Sequence, residues 1–452
     1  MPQIDDQAFA GCERLDALFN HSQTILHWFR RDKAGDYVIP ESVVEIAKNA
    51  FTGCATLKSV VIPDSVTDIG ENAFSGCTSL TRIAIPDSVT SIGAGAFNDC
   101  TSLTSVVIPD GLTTIGTGCD DCFNCFGFVS GCSSLASVVL PNSVTRIGCA
   151  AFSGCSSLAS VTIPESVTTI EGWAFYGCTS LTRVTIPNSV TRIGLGTFSY
   201  CTSLTDIVIP DNVEVIEDAL ERGGGRRDTS GTFSRCTSLK NVTLGSGLSR
   251  IASGMFDGCT SLTSVTIPDS VTSIGRGAFQ DCSSLTAVAI PNSVSGIEGL
   301  AFWGCSSLTG LVIPAGVTSI EDGSFELCIT LRALYFQGNA PDVTESVFDG
   351  ADNVTIYYLP GTTGWGATYA GRPTAIWTNP VILEGTLGMK ANALGFTIAW
   401  AADATVVVEA AADLTAPIWV PVSTHVLAGG VAEFRDPEPV TETARFYRLR
   451  SP

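Results

Sequence analysis

Residues 77–97 read CTSLTRIAIPDSVTSIGAGAF, from Cys77 to Phe97, and this stretch decides the fold. Leu80, Ile83 and Ile85 are apolar, and Ile83 and Ile85 alternate with Arg82 and Ala84. Alternation with a period of two is the pattern of a strand with one buried face. Pro86 ends the strand, because proline has no N–H to give a ladder. Asp87 and Ser88 supply turn chemistry. Val89 and Ile92 point inward again, and Gly93 is expected to allow a tight reversal. Ala96 and Phe97 complete the buried set. So few apolar positions cannot make a core of their own, and the stretch needs neighbours of the same kind.

The neighbours are present. Cys54, Cys77 and Cys100, then Cys155, Cys178 and Cys201, then Cys259, Cys282, Cys305 and Cys328 follow one another in steps of 23 residues. Cys132 and Cys236 continue the series, each displaced by an insertion. Around them the phrase Ala-Phe-x-x-Cys-x-x-Leu-x-x-Val-x-Ile-Pro-x-Ser-Val-Thr-x-Ile-Gly returns. A fixed period of roughly 20–50 residues marks a solenoid, in which each turn buries its apolar face only against the turns beside it. The Leu-x-x-Val-x-Ile segments are expected to form a parallel sheet. The Ser-Val-Thr-x-Ile segments are expected to form a shorter ladder on the far side. Glycine and β-branched residues are too frequent for long helices.

Charge narrows the function. Only 15% of the 452 residues are charged, and the formal net charge is −20. Nucleic acid and anionic membranes demand a basic surface, so both are excluded as partners. No apolar run is long enough for a membrane-spanning helix. The first residues, MPQIDDQAFA, carry no signal peptide. Ile4–Leu15 already reads as the second half of a repeat, which points to a truncated N-terminus that has lost any export signal.

There are 17 cysteines. Thirteen, counting Cys12, hold the repeat position. Side by side at about the 4.8 Å spacing of adjacent strands, they suit disulfide geometry poorly, and each is read as a small buried hydrophobe. Cys119, Cys122, Cys125 and Cys149 break the pattern. A disulfide or free thiols are the preferred reading. The alternative is a zinc site, with Cys149 as fourth ligand to the Cys-x-x-Cys-x-x-Cys run.

These residues carry a resemblance. Phe-x-x-Cys-x-x-Leu-x-x-Val-x-Ile-Pro at 23-residue spacing is similar to the BspA-like class of leucine-rich repeats, from Ile4 to about Trp377. Leu18–Pro40 resembles the hairpin-like longer turn of that class, and Leu334–Trp377 resembles its closing cap. The resemblance implies a non-catalytic solenoid of bacterial surface proteins, used for adhesion or partner binding. The expected organisation is a solenoid over 1–378, with about 13 turns, an irregular turn near 16–40, insertions near 117–128 and 218–231, and a cap over 334–377. Residues 379–452 follow as a small antiparallel β-sandwich module, read from FTIAW, TVVVEAA, IWVPV, VAEF and RFYRLR. Its ending resembles C-terminal modules of exported bacterial proteins. Attachment to the cell envelope, glycan binding and capping are its possible roles.

Three surfaces are candidates for contact with a partner. The outward strand positions, among them Val61, Ala84, Val107, Val139, Thr162, Val208, Val312 and Tyr335, make a smooth, weakly charged face. A row of Asp64, Asp87, Asp110, Asn142, Glu165, Asn188 and Asp211 follows the strands. It reads as turn chemistry, with calcium binding between turns as the alternative. The two insertions leave the coil along one edge, and Asp120, Asp121, Phe123 and Phe126 of the first, with Arg222, Arg226 and Arg227 of the second, are the candidate partner-binding residues. No catalytic residues or cofactor are expected: His21, His27 and His425 form no nucleophile–base pattern with their neighbours in sequence. The expected function is an adhesin-like scaffold at the cell surface or outside the cell, recognising protein or glycoprotein. The alternative is a self-associating structural or cell-envelope protein.

Overall fold

The computed structural model describes residues 16–116, 127–218, 231–383, 388–390, 393–412, 417–437 and 445–451. The chain packs as two compact units, Met1–Gly247 and Leu248–Pro452.

In the first unit the predicted strands form one nine-stranded sheet running from Gly35–Val38 to Asn241–Thr243. All its pairings are parallel, and equivalent repeat residues face one another: Val60 pairs with Ile83, Ile83 with Val106, Val106 with Val138, and Val138 with Val161. The short ladder is there as well, in two-residue strands such as Thr169–Ile170 and Arg192–Ile193. The irregular turn is a hairpin, with Ala17–Phe19 antiparallel to Ile25–Phe29.

Between the two ladders lie straight rows of side chains. Phe152, Phe175 and Phe198 are fully buried and stacked, with centroids 5.3 and 5.4 Å apart. Such contacts add about 0.5–1.5 kcal/mol to area burial. The leucine row, Leu57 through Leu239, is buried throughout. Where a serine follows the strand it commonly donates to a carbonyl of the preceding turn, as from Ser88 Oγ to Val66 O and from Ser189 Oγ to Val167 O, each 2.7 Å. These bonds fix the tight turns that the Asp/Asn row occupies.

Gly93 plays a different part from the one expected. Its φ is not positive, and a Cβ there would lie 2.3 Å from the backbone nitrogen of Glu71. The glycine is needed for close approach between turns. The left-handed position lies before the cysteine, at Gly76 (φ 72°) and Gly154 (φ 71°). Tyr200 holds the same position at φ 61° and Leu327 at φ 57°, where a bulky side chain is strained. The repeat imposes the backbone even where the residue disfavours it.

The second unit repeats the scheme in its own ladders. Glu298 and Glu321 stand where Gly93 does, and their carboxylates accept backbone N–H bonds from Arg276 (3.0 Å) and Gly299 (3.0 Å) of the preceding turn. Arg250 adds an ion pair to Glu298 at 2.8 Å. Its strand face carries a two-stranded parallel sheet, Ser264–Thr266 with Ala287–Ala289, and a five-stranded sheet through Gly310–Ile313, Ala333–Phe336 and Thr355–Tyr358 to Arg372–Ile376, where Thr368–Tyr369 folds back antiparallel. Beyond it, two antiparallel sheets face each other. One is built on Ala393–Ala399, the other on Thr405–Ala411. Phe396, Ile398, Val406, Val408, Leu427 and Phe434 fill the space between them. Thr405–Ala411 is buried on its other face too, where Glu409 is gripped by Arg448 (2.7 Å) and Arg450 (3.0 Å).

Replacing Phe175 by Ala empties one place in the stack and is expected to lower unfolding free energy by about 3–5 kcal/mol. Urea titration followed by circular dichroism checks this, and an unchanged midpoint contradicts the stacked row.

Candidate functional site

The described cysteines divide in two. Twelve, Cys54 through Cys328 at the repeat position, are free and buried. The thiols point at carbonyls of the preceding turn: Cys77 Sγ lies 3.2 Å from Phe51 O, Cys178 Sγ 3.2 Å from Phe152 O, and Cys328 Sγ 3.1 Å from Phe302 O. Each of those oxygens already accepts the backbone N–H of its own turn's cysteine, as Phe51 O does from Cys54 at 3.1 Å. The thiol takes its second lone pair, so the row is more than a set of small hydrophobes. Burial pushes the thiols of Cys155, Cys178, Cys201, Cys282 and Cys305 up, and those of Cys236 and Cys328 to about 12. A nucleophile or metal ligand must be a thiolate, so these thiols are chemically silent.

Cys149, also buried, is disulfide-bonded. Every other described cysteine is free, so its partner lies outside the described residues. The remaining candidates, Cys119, Asp120, Asp121, Cys122, Phe123, Cys125 and Phe126, with Arg222, Arg226 and Arg227, also lie outside them. The flanks of both insertions are described. Each leaves after a short strand, Thr114–Ile115 or Val215–Ile216, and returns before the phenylalanine row, at Gly127 and Gly231. Among the described residues no three His, Cys, Asp or Glu side chains converge as a metal site would require.

The strand face of the first unit offers a partner the most. Its register brings Val38, Val61, Ala84 and Val107 into one line, and Val139 and Thr162 extend it. All are exposed, Val139 by 74%. Exposed valines aligned on flat backbone form a continuous apolar stripe of the kind that marks an interaction surface. The parallel row of hydroxyls is partly committed within the fold. Thr81, Thr104 and Thr182 donate to carbonyls of the preceding turn at 3.2–3.4 Å. Farther along, Arg183, Thr185, Asn188, Asp206 and Val208 line an open groove of about 460 Å³. Asp206 is held below the usual carboxylate range by hydrogen bonds from Thr205 and Asn241, with Arg183 and Lys240 near it. The groove combines an apolar floor with fixed charges of both signs.

In the second unit the face changes. Thr266 and Ala289 are exposed, but Val312 in the same row is only 7% exposed. The C-terminal module lies on it. Sequence reasoning placed Val312 and Tyr335 on an open face. The missed signal was the change from small residues to Tyr335 and Tyr357 in the last turns.

The raised thiols have a consequence for alkaline stability. An unfolded thiol ionises near about 8.5, whereas the folded one keeps its proton until about 12 at Cys236. The folded state thus binds more protons above that lower value. Stability from this source is complete below about pH 8.5 and falls as pH rises toward 12, by about 1.4 kcal/mol per thiol per pH unit. Urea midpoints between pH 8 and 10.5 are expected to drop steeply, and a flat profile contradicts the buried neutral row. Mass spectrometry before and after reduction is expected to show the gain of two hydrogens for the disulfide at Cys149; no gain rules that bond out.

Comparison with known proteins follows the geometry. The pattern of the BspA type Leucine rich repeat region, in six copies, matches residues 26–126, 122–220 and 229–355. A leucine-rich repeat protein from Bacteroides ovatus is 28% identical, over 71% of this chain and 93% of its own, with a TM-score of 0.48. A leucine rich cell surface protein from Faecalibacterium prausnitzii is 27% identical, over 72% and 93%, with a TM-score of 0.44. The leucine-rich repeat protein of T. pallidum is 37% identical, over 42% and 86%, with a TM-score of 0.36. No curated protein matches the chain. With the repeat pattern matched over well more than half its length, the chain belongs to the BspA-type leucine-rich-repeat family.

Proposed function

We propose that this chain is a non-catalytic, adhesin-like scaffold at the cell surface, recognising a protein or glycoprotein through the strand face of its repeats and through the two insertions. One observation carries the reading: the exposed line of Val38, Val61, Val107 and Val139 on a sheet whose neighbouring rows hold small or hydroxylated residues and the charges of Lys58, Arg82, Arg183 and Asp206. Removing such a stripe from water on binding contributes about 25 cal/mol per Å² of apolar area, and the flat surface suits broad contact. The net charge of −20 supports a partner that is neither nucleic acid nor anionic lipid. The C-terminal module is an attachment point for the cell envelope in this reading. Self-association of the same stripe is the second reading, since a flat apolar face fits its own copy as well.

Val107→Lys combined with Val139→Lys places two charges on the stripe without touching the buried rows. Capture of glycoproteins from host or neighbouring-cell extracts is expected to fall by more than about tenfold, the equivalent of about 1.4 kcal/mol. Capture unchanged by these substitutions removes the strand face from the account. Capture that falls only when both insertions are deleted moves the site to the loop edge. Light scattering separates the second reading: concentration-dependent growth, abolished by the same two lysines, supports self-association.

A further inference from the structure

The last turns of the second unit are covered by the chain's own C-terminal module. Val312, Trp377, Leu383 and Ala399 are its buried centre, with Tyr335, Tyr357, Trp400 and Val431 packed around them. Tyr335 stacks on Tyr357 at 5.1 Å, and the Trp377 ring meets Tyr335 at 5.0 Å. A polar clasp crosses the contact, with Gln337 Nε2 donating to the Trp400 carbonyl at 2.8 Å.

Beside this clasp, buried polar atoms go unmet. Gln337 is 7% exposed and Trp377 2% exposed. Yet Gln337 Oε1 and Trp377 Nε1 have no hydrogen-bond partner among the described residues. Thr309 Oγ1, on the same face, has none either, although Thr286 one turn earlier donates to Thr263 O at 3.1 Å. A buried polar atom without a partner is a net cost, and it offsets what the apolar centre contributes. The module's own core carries no such burden: Phe396, Ile398, Val406, Val408, Leu427 and Phe434 are all apolar. Among the described residues from Asn379 onward no buried side-chain polar atom lacks a partner. The module is held together better than it is held down. The contact is nonetheless specific, since a Cβ on Gly430 would fall 1.4 Å from Gln337 Nε2 and 2.7 Å from Trp400 O.

We propose that the C-terminal module is a releasable cover. It leaves the strand face as a body and bares Val312, Tyr335, Tyr357 and Trp377. The release stands on the packing alone, independent of the strand-face reading above. A failure of the release leaves the test at Val107 and Val139 untouched.

Hydroxyl-radical footprinting of the intact chain across a urea series tests it. Tyr335, Tyr357 and Trp377 are expected to become labelled in an early step, while Phe279, Phe302, Phe396 and Phe434 stay protected. Val312→Lys alters the repeat side of the contact and Gly430→Val the module side. Each is expected to raise labelling of Trp377 in the absence of urea by about tenfold, the scale of one lost hydrogen bond, with the later step unmoved in Val312→Lys. Labelling of Trp377 together with Phe279 and Phe302 in a single step, in the native chain and in Val312→Lys alike, overturns the proposal.

Discussion

Everything in this structure depends on one constraint: a turn can satisfy its buried groups only through the turn next to it. The carbonyl of Phe51 accepts from its own turn and then from the Cys77 thiol of the following one. Ser88 reaches the carbonyl of Val66, and the ring of Phe175 lies between those of Phe152 and Phe198. No turn is stable alone, which is the nearest-neighbour condition of repeat proteins. The condition also dictates the chemistry of the interior. Thiols are used there as neutral donors, and burial keeps them so.

Because the inside is committed to stacking, recognition is left to the outside. The repeat fixes which positions face outward, and the residues there are free to vary. Over the first unit they are valine, alanine, serine and threonine, with charges confined to a few places such as Arg183 and Asp206. In the last turns of the second unit they become Val312, Tyr335 and Tyr357, and those residues are taken up by the chain's own module. The strand face is thus exposed over the first unit and closed by the chain's own module in the last turns of the second.

The sequence made the ladders legible, because a strict period places every leucine, phenylalanine and cysteine in a row. It also distinguished the antiparallel C-terminal sheets by their changed rhythm, whereas the hairpin of Ala17–Phe29 is foreseen only through the resemblance of Leu18–Pro40 to the longer turn of its class. Other features lie beyond a period. Gly93 signals a turn in isolation, and only the neighbouring backbone at Glu71 reveals a close approach. Tyr200 and Leu327 occupy left-handed backbone that their residue types disfavour, because tertiary stacking overrides local preference. The docking of the module onto Val312 depends on contacts between residues more than 60 positions apart, such as Gln337 and Trp400, which no local pattern encodes.

The most direct measurement of the central constraint is thiol trapping on the native chain. With the turns stacked as described, the twelve repeat thiols are expected to stay unmodified by a water-soluble maleimide at neutral pH, and to react together once urea unfolds the repeats. Rapid native-state modification of thiols in the middle of the rows, at Cys155, Cys178 or Cys282, contradicts the account.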